Sequence, residues 1–562
     1  MKRFKLLLPF ALVFVMLLAA CNSRSGSSGA SGKSGNVMPR NPLDRQAVGA
    51  AMGEVTLNIR VMNEIRNTDA IINEYYKRVA NDPILSKVRL NINFVTGGDY
   101  RDKTNMLLNT QDEDIDLMFL GAWHGLTDYA KAGLLADLSD YFSNNAFPGL
   151  RAGFSDDYIN AAKTFIQLED GSYDARLYSI PLAEAFNDMR GINYREDLRV
   201  KYRIPEITND DIFEQYLRTV LANEEAITYG WDMYNGFFYA FSPWYRAPHD
   251  NVFPIEIIGQ EAPVYIALNS DASRVLGAVV MGDTQENFNR MPNGYRYDFF
   301  KEYHLGRLRW VPYLSPTRGT TDGALGFAAG AYAVVSTTIT DRNNLATDSQ
   351  VLAIWPNASL RLYITEENQR NQVPGAIVSE MKSNNFLVVP EWSQNQVATM
   401  YFLDWMFGSR ANHDLFQFGI EGYHWEAVGG TAYRLLNVGE ENRYIMPGYS
   451  FTWNPNYVRY LEEVINDPEL KSMFDYQNSL QSYTISPISG FAFNNANVTT
   501  QVANVTALSN ELMLRFAIYG NTTERVIDQW YRDAVAVGLN DIKSELVNQL
   551  QAFIDIKRAA GN

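Results

Sequence analysis

The sequence predicts an α/β protein, and three observations carry that prediction. Two stretches, "EVTLNIRVM" at 54–62 and "VRLNINFV" at 88–95, alternate apolar and polar residues, the period of a strand with one buried face. Between them, "NTDAIINEYYKRVAND" has the periodicity of an amphipathic helix. A third stretch, "IDLMFLG", ends in a continuous apolar run, as a strand buried on both faces requires. Strand, helix and strand in that order imply a βαβ unit and a parallel sheet.

In the first strand Val55, Leu57, Ile59 and Val61 take the buried face. Thr68 stands at the N-cap position of the helix, with Ile72, Tyr75, Tyr76 and Val79 on one side of it. Val88, Leu90, Ile92 and Phe94 form the buried side of the second strand. A further helix over 100–110 leads to the third strand, and "GLTDYAKAGLLADLSDYF" continues as helix and turn. The N-terminal part of the chain, as far as that turn, therefore reads as an open α/β layer, in which ligands bind outside the carboxyl ends of the strands. Those ends carry Asn63 and Glu64 after the first strand and Gly121-Ala122-Trp123-His124 after the third. Residues 190–370 mix helical patterns with aromatic loops, "TYGWDMYNGFFYAFSPWY" and "FKEYHLGRLRWVPYL". In the last helical stretch Ile542, Leu546, Leu550 and Phe553 share a face, flanked by Val547 and Ile554. There is no internal repeat.

Ahead of this body, Lys2, Arg3 and Lys5 precede an apolar run from Leu6 to Ala20. The run is too short for a comfortable span of about 20 residues, and with its basic start it reads as an export signal. It ends at Leu18-Ala19-Ala20-Cys21, and Cys21 is the sole cysteine. This stretch resembles the lipobox of bacterial lipoproteins, which implies cleavage after residue 20 and acylation of Cys21; an ordinary secretion signal is the competing assignment. Residues 22–53 are rich in Ser, Gly, Asn and Pro and are expected to be a flexible tether. "GSSGASGKS" within them fails as a phosphate loop, because Ser27 stands where the first glycine must be.

Lys and Arg number 48 against 64 Asp and Glu, a formal charge of −16, which argues against nucleic acid and against free adhesion to anionic lipid. With no cysteine in the body, neither a disulfide nor a thiolate metal site can form there. Aromatic residues make up 13% of the chain, which fits either a large core or stacking platforms for a flat ligand such as a sugar ring. Catalytic and metal motifs are missing: there is no HExxH and no GxSxG, and the five histidines lack ligand-pair spacing. "DEDIDL" places Asp112, Asp114 and Asp116 like the start of a calcium loop, but Leu117 and Trp123 occupy the glycine and glutamate positions. No cofactor and no metal are expected.

Four stretches together resemble a known family, the extracellular solute-binding lipoproteins of ATP-driven (ABC) importers, in the carbohydrate branch common in Gram-positive bacteria such as paenibacilli. They are "DIDLMFLGAWHGLTDYAKAGLLADLSDYF", "LYSIPLAEAFNDMRGINYREDLRVKYRIPEIT", "NNFLVVPEWSQNQVATMYFLDWMF", and "FGIEGYHWEAV" taken with "SPISGFAFNNANVTTQVANV". The third departs from the family pattern, with Ser393-Gln394-Asn395-Gln396 where Asn-Pro-Glu is usual. The resemblance implies a two-lobe, periplasmic-binding-protein-like α/β fold with hinge strands and additional C-terminal helices. It places a signal peptide at 1–20, a lipidated tether at 21–53, lobe one at 54–186 with 371–412, and lobe two at 187–370. A C-terminal region at 413–562 would pack mainly on lobe two.

Function by that resemblance is non-enzymatic: a monomer, lipid-anchored on the extracytoplasmic face of the cell membrane, captures a carbohydrate between its lobes and passes it to permease subunits. The hinge closes around the ligand, because only the closed form lets both lobes touch it. The ligand residues expected are Trp123 and Glu64 at the strand ends, Glu184 and Asn187 at the first crossing, Trp231, Trp244 and Tyr245 in lobe two, Tyr332 after "GFAAG", and Trp453 in "FTWNPNY". For the aromatic ones, core packing is the competing assignment. A surface enzyme such as a glycoside hydrolase, a carrier for a non-sugar solute, and a partner for a sensor kinase are the alternative functions.

Overall fold

The computed structural model describes residues 45–559 except 112, 122–123, 168–172, 185–188, 232–246, 260–261, 302–308, 316–322, 341–350, 380–382 and 520–523. Trp123, Asn187, Trp244, Tyr245 and Cys21 therefore lie outside the described residues.

The first layer is a five-stranded sheet. Val55–Met62 pairs in parallel with Val88–Val95 on one side and with Leu117–Gly121 on the other. Asn385–Val388 then runs antiparallel between Leu117–Gly121 and Ile180–Leu182, so a segment from far downstream completes the sheet. The alternation predicted for the first strand holds, with Leu57, Ile59 and Val61 buried. Phe94 departs from it at 41% exposure, because it lies near the end of a strand that forms the sheet's edge. The Thr68–Arg78 helix starts after Asn67, not Thr68, and turns Ile71 and Tyr75 fully inward, with Ile72 and Tyr76 partly buried.

Beneath the sheet runs Gln396–Phe407, buried on nearly all sides, as its almost unbroken apolar sequence requires. Its one carboxylate, Asp404, accepts hydrogen bonds from the Gly149 and Leu150 amides at 2.6 and 3.0 Å, satisfying the start of the Pro148–Gly153 helix. Burial raises the Asp404 pKa despite those bonds.

Part of the stretch expected as a tether, 22–53, is ordered. Arg45–Ala51 is a helix docked on the first layer. Arg45 pairs with Asp82 at 2.8 Å and lies 4.5 Å over the Tyr401 ring. Lys87 donates to the Gly49 and Met52 carbonyls, the free C-terminal acceptors of that helix. Composition alone hid this, since the helix depends on partners remote from it in sequence.

A second, three-stranded antiparallel sheet has Arg190–Arg195 at its centre, between Val334–Thr338 and Leu360–Ile364. The Asp210–Asn223 helix, N-capped by Asn209, packs Phe213, Tyr216, Leu217 and Val220 with this sheet's Ile192, Tyr194, Val334 and Tyr363. A parallel pair, Ile377–Ser379 with Tyr483–Ile485, forms a separate two-stranded sheet.

Residues 413–562 divide three ways. Leu415, Phe416, Met446 and Phe451 belong to the core of the first layer. Leu461 to Tyr476 pack with Met189, Ile339, Leu362 and Ile364 of the second. From Ile488 onward the chain packs with residues 252–300, whose strands Val252–Ile255, Val264–Leu268 and Val275–Val279 form a third, antiparallel sheet. No helix among the described residues is long and apolar enough to cross a membrane.

Candidate functional site

The carboxyl edge of the first sheet gathers five chain ends: those of the 55–62, 88–95, 117–121 and 180–182 strands and the start of 385–388. At its centre is Asn63, in the left-handed region at φ 73°, which asparagine tolerates better than most residues. Its amide donates to Val95 O at 2.8 Å and extends the ladder by one residue. Its Oδ1 accepts from the Gly97 amide at 2.7 Å, at the first turn of the Gly97–Thr110 helix, and its Nδ2 donates to the Tyr449 hydroxyl at 2.7 Å.

Tyr449 was not legible as a site residue in the sequence. It arrives in a segment laid across the edge: Arg66 and Ile445 exchange backbone hydrogen bonds at 3.0 and 3.1 Å, Asn67 donates to the Glu441 and Arg443 carbonyls, and Ser450 donates to Met62 O at 3.2 Å. The half-buried Tyr449 ring meets Phe119 at 5.8 Å and Trp453 at 6.0 Å, both edge-to-face. Gly448 makes this possible, since a Cβ there would lie 2.5 Å from the Trp453 indole and 2.6 Å from Gln417 Oε1. Trp453, predicted from sequence, is thus brought to the edge, partly buried against the first-layer core.

Below Tyr449 the wall is closed by Tyr100, Phe119 and His124. The Tyr100 hydroxyl donates to Phe119 O at 2.9 Å, and its ring stacks on His124 at 5.7 Å. The Gly121 amide donates to His124 Nδ1 at 3.0 Å, which fixes the neutral Nε2–H tautomer. Burial, with Arg101 adding to it, holds the His124 pKa down to about 4. The ring is a rigid neutral wall.

Glu64 lies at the same edge, exposed, in a surface ion pair with Arg66 at 3.0 Å. Glu184 follows the 180–182 strand, half-buried, and its charge acts on the Tyr433 and Tyr460 hydroxyls. Burial holds both phenols above their usual pKa, and the Glu184 charge adds to it. Two predicted residues are core side chains. Trp231 is 2% exposed and packs with Phe213 at 5.7 Å and Trp310 at 6.0 Å. Tyr332 is buried with Phe327, Ala328 and Val351, its ring so close to Gly326 that a Cβ there would lie 2.3 Å away.

Asp116, at the end of the calcium-like stretch, is buried and accepts from the Asn58 amide, Ser393 Oγ and Asn395 Nδ2 at 2.9, 2.7 and 3.2 Å. The Ser393 and Asn395 that depart from the family pattern thus hold a first-sheet carboxylate at the start of the 396–407 helix. Among the described residues no group of three or more His, Cys, Asp and Glu could hold a metal ion. The edge therefore offers amide and carboxylate hydrogen-bonding groups beside aromatic rings, the equipment for a polyhydroxylated ligand with C–H faces.

Comparison with known proteins places this architecture. Residues 487–555 match DUF3502, a domain of unknown function. No curated protein sequence matches the chain. Solved structures match along most of its length. An N-glycan transport solute-binding protein, NgtS, from Streptococcus pneumoniae superposes with a TM-score of 0.64 at 16% identity, covering 89% of this chain and 99% of that one. The same protein in complex with Man5GlcNAc matches with a TM-score of 0.59. The alginate-binding protein AlgQ2 gives 0.56 at 13% identity, over 90% of this chain and 98% of that one. A human-milk-oligosaccharide (HMO)-binding, ABC-transporter-associated protein from Bifidobacterium longum infantis gives 0.55 at 13%, over 90% and 99%. The chain has the two-lobe α/β fold of these solute-binding proteins.

Proposed function

We propose that this chain captures a carbohydrate, an oligosaccharide of mainly neutral units, between its two lobes and delivers it to the permease of an ABC importer. The observation that carries this reading is the coincidence of two facts. The fold is that of proteins named for binding N-glycan, alginate and milk oligosaccharide. The edge where such a sheet binds ligands carries Tyr449 and Trp453 next to Asn63, and Glu64 and Glu184 follow two of its strand ends. Lobe one comprises the first sheet and the Gln396–Phe407 helix, lobe two the Arg190–Arg195 sheet, and the crossings between them supply the hinge. Trp123, Asn187, Trp244 and Tyr245 remain candidates for further ligand contacts.

Asn63 acts as a positioning residue: it holds the Tyr449 hydroxyl, which leaves the ring as the group that meets a sugar face. The hinge needs no chemistry beyond closure, and the protein is proposed to be a binding protein rather than an enzyme. A neutral sugar fits the chain's charge of −16 better than a polyanion does. Cys21 is proposed as the acylated first residue of the mature chain, so Cys21→Ser should release the protein from membranes with ligand affinity intact. A loss of affinity in that variant would refute the anchor role. The test of the binding role is calorimetric titration with neutral oligosaccharides. Tyr449→Ala should weaken the best ligand about tenfold or more, since truncating an aromatic anchor at a well-desolvated contact costs more than about 1 kcal/mol. Equal affinity in wild type and variant would remove Tyr449 from the site.

A further inference from the structure

The stretch matched as a domain of unknown function ends inside a helical segment whose apolar face, among the described residues, packs with one other part of the chain. Its buried side chains, Ile488, Val498, Val505, Leu512, Ile527, Trp530, Leu539, Ile542, Leu546 and Leu550 among them, join a cluster whose other described members all lie in residues 252–300. Those two segments are far apart in sequence, with the Asn385–Val388 strand and the Gln396–Phe407 helix between them. We propose that residues 487–555 are half of a composite domain whose other half is the chain's own segment 252–300, a third folding unit distinct from both ligand-binding lobes.

Polar contacts along the interface follow the same division. Asp283, its side chain fully buried, pairs with Lys543 and accepts from the Tyr531 hydroxyl at 2.8 Å, and Asn287 and the Thr284 amide complete its shell at 2.7 and 2.8 Å. Burial pushes its pKa up, but Lys543 and these donors outweigh that and leave the carboxyl below its usual value. The neighbouring Gly282, at φ +78°, lets the Glu524–Ala536 helix approach so closely that a Cβ would lie 3.0 Å from Tyr531 Cβ. Gln551 reaches from the Leu539–Ala559 helix to the edge of the Val275–Val279 strand, accepting from the Val275 amide at 2.8 Å and donating to Ser273 O at 3.1 Å. Lys301, the residue just past the 252–300 segment, pairs with Asp528 at 3.0 Å. An exposed strand edge and a helix face are each covered by the other half, which is how separate segments become one cooperative unit.

This unit is mounted on the parallel strand pair. The Ser486 amide donates to Ser379 O at 2.8 Å just before the unit begins at residue 487, and His249 Nε2 lies 3.1 Å from Ala376 O just before the 252–255 strand. The inference stands independently of which ligand the lobes take.

Native-state hydrogen exchange of the full chain over a series of urea concentrations tests it. Amides of the Val264–Leu268 strand and of the 524–536 and 539–559 helices should converge on one opening curve, separate from that of Arg190–Arg195. Separate opening of the helices, or their convergence with Arg190–Arg195, overturns the proposal. A second test uses Asp283→Asn, which leaves the Lys543 ammonium buried without its carboxylate. Exchange should accelerate at least tenfold in 252–300 and in 487–559 together, and Asp283→Asn with Lys543→Met should recover part of the protection. Acceleration in one segment alone, or in neither, also overturns it.

Discussion

Two aromatic groups in this molecule use the same residue types to opposite ends. In the second layer, Trp231, Trp310, Phe213 and Tyr363 pack on one another behind the Arg190–Arg195 sheet, with Trp231 2% exposed. At the carboxyl edge of the first layer, Tyr449 and Trp453 are only partly buried, and Tyr449 is held at its hydroxyl by Asn63. The first group fills volume. The second holds rings at a rim, with the Tyr449 hydroxyl already hydrogen-bonded, so that a ligand needs to order little on arrival. A count of tryptophans and tyrosines cannot separate the two uses; what separates them is whether a ring lies on a helix-and-sheet interface or on a strand end.

The strongest way to break that contrast is Trp231→Ala. Emptying a core site of this size should cost about 3–5 kcal/mol in urea unfolding, with ligand affinity of the folded protein unchanged. Parallel loss of affinity at constant stability would place Trp231 in the site after all. Next comes acid. His124 binds its proton at about pH 4 in the folded chain but near 6.5 when unfolded, so the unfolded state takes up protons first. The rim's contribution is fully present above about pH 6.5 and is lost as pH falls toward 4, up to about 3 kcal/mol. His124→Asn keeps an acceptor for the Gly121 amide, and its stability curve should be flatter in that window than that of the wild type.

A smaller effect is expected at Asn63. Asn63→Gly keeps the left-handed backbone while removing both side-chain hydrogen bonds. Stability should drop by about 1–2 kcal/mol and affinity by roughly tenfold, with Tyr449→Phe showing a milder version of the affinity loss. If Asn63→Gly binds as tightly as wild type, the ring is not positioned by that contact. Smallest of all is Glu64→Gln: the ion pair with Arg66 is exposed, and its removal should change unfolding free energy by less than about 0.5 kcal/mol.

The first three strands were legible because their side chains alternate or run apolar over a short local window. The two short strands that complete the sheet, Ile180–Leu182 and Asn385–Val388, carry no such period and were visible only through family resemblance. The helix at Arg45–Ala51 was invisible inside a Ser/Gly-rich region, because its stability comes from Asp82, Lys87 and Tyr401. Of the expected site residues, Glu64 and Glu184 were chosen from a strand end and a crossing, and Trp453 from the stretch "FTWNPNY". Tyr449 was not, since its partner Asn63 is 386 residues away and "GYSFTW" has no periodicity. Trp231 and Tyr332 carried the right chemistry, but no local pattern reports that neighbours bury them.

A thermal-shift screen of the chain from Arg45 onward, with neutral oligosaccharides, acidic oligosaccharides and peptides side by side, tests the central claim most directly. A neutral oligosaccharide at 100 times its dissociation constant should stabilise the fold by about 2.7 kcal/mol and raise the midpoint, and a tenfold weaker Tyr449→Ala should lose about half of that stabilisation or more at the same concentration. A midpoint that responds to acidic solutes or peptides and to no neutral sugar would contradict the account.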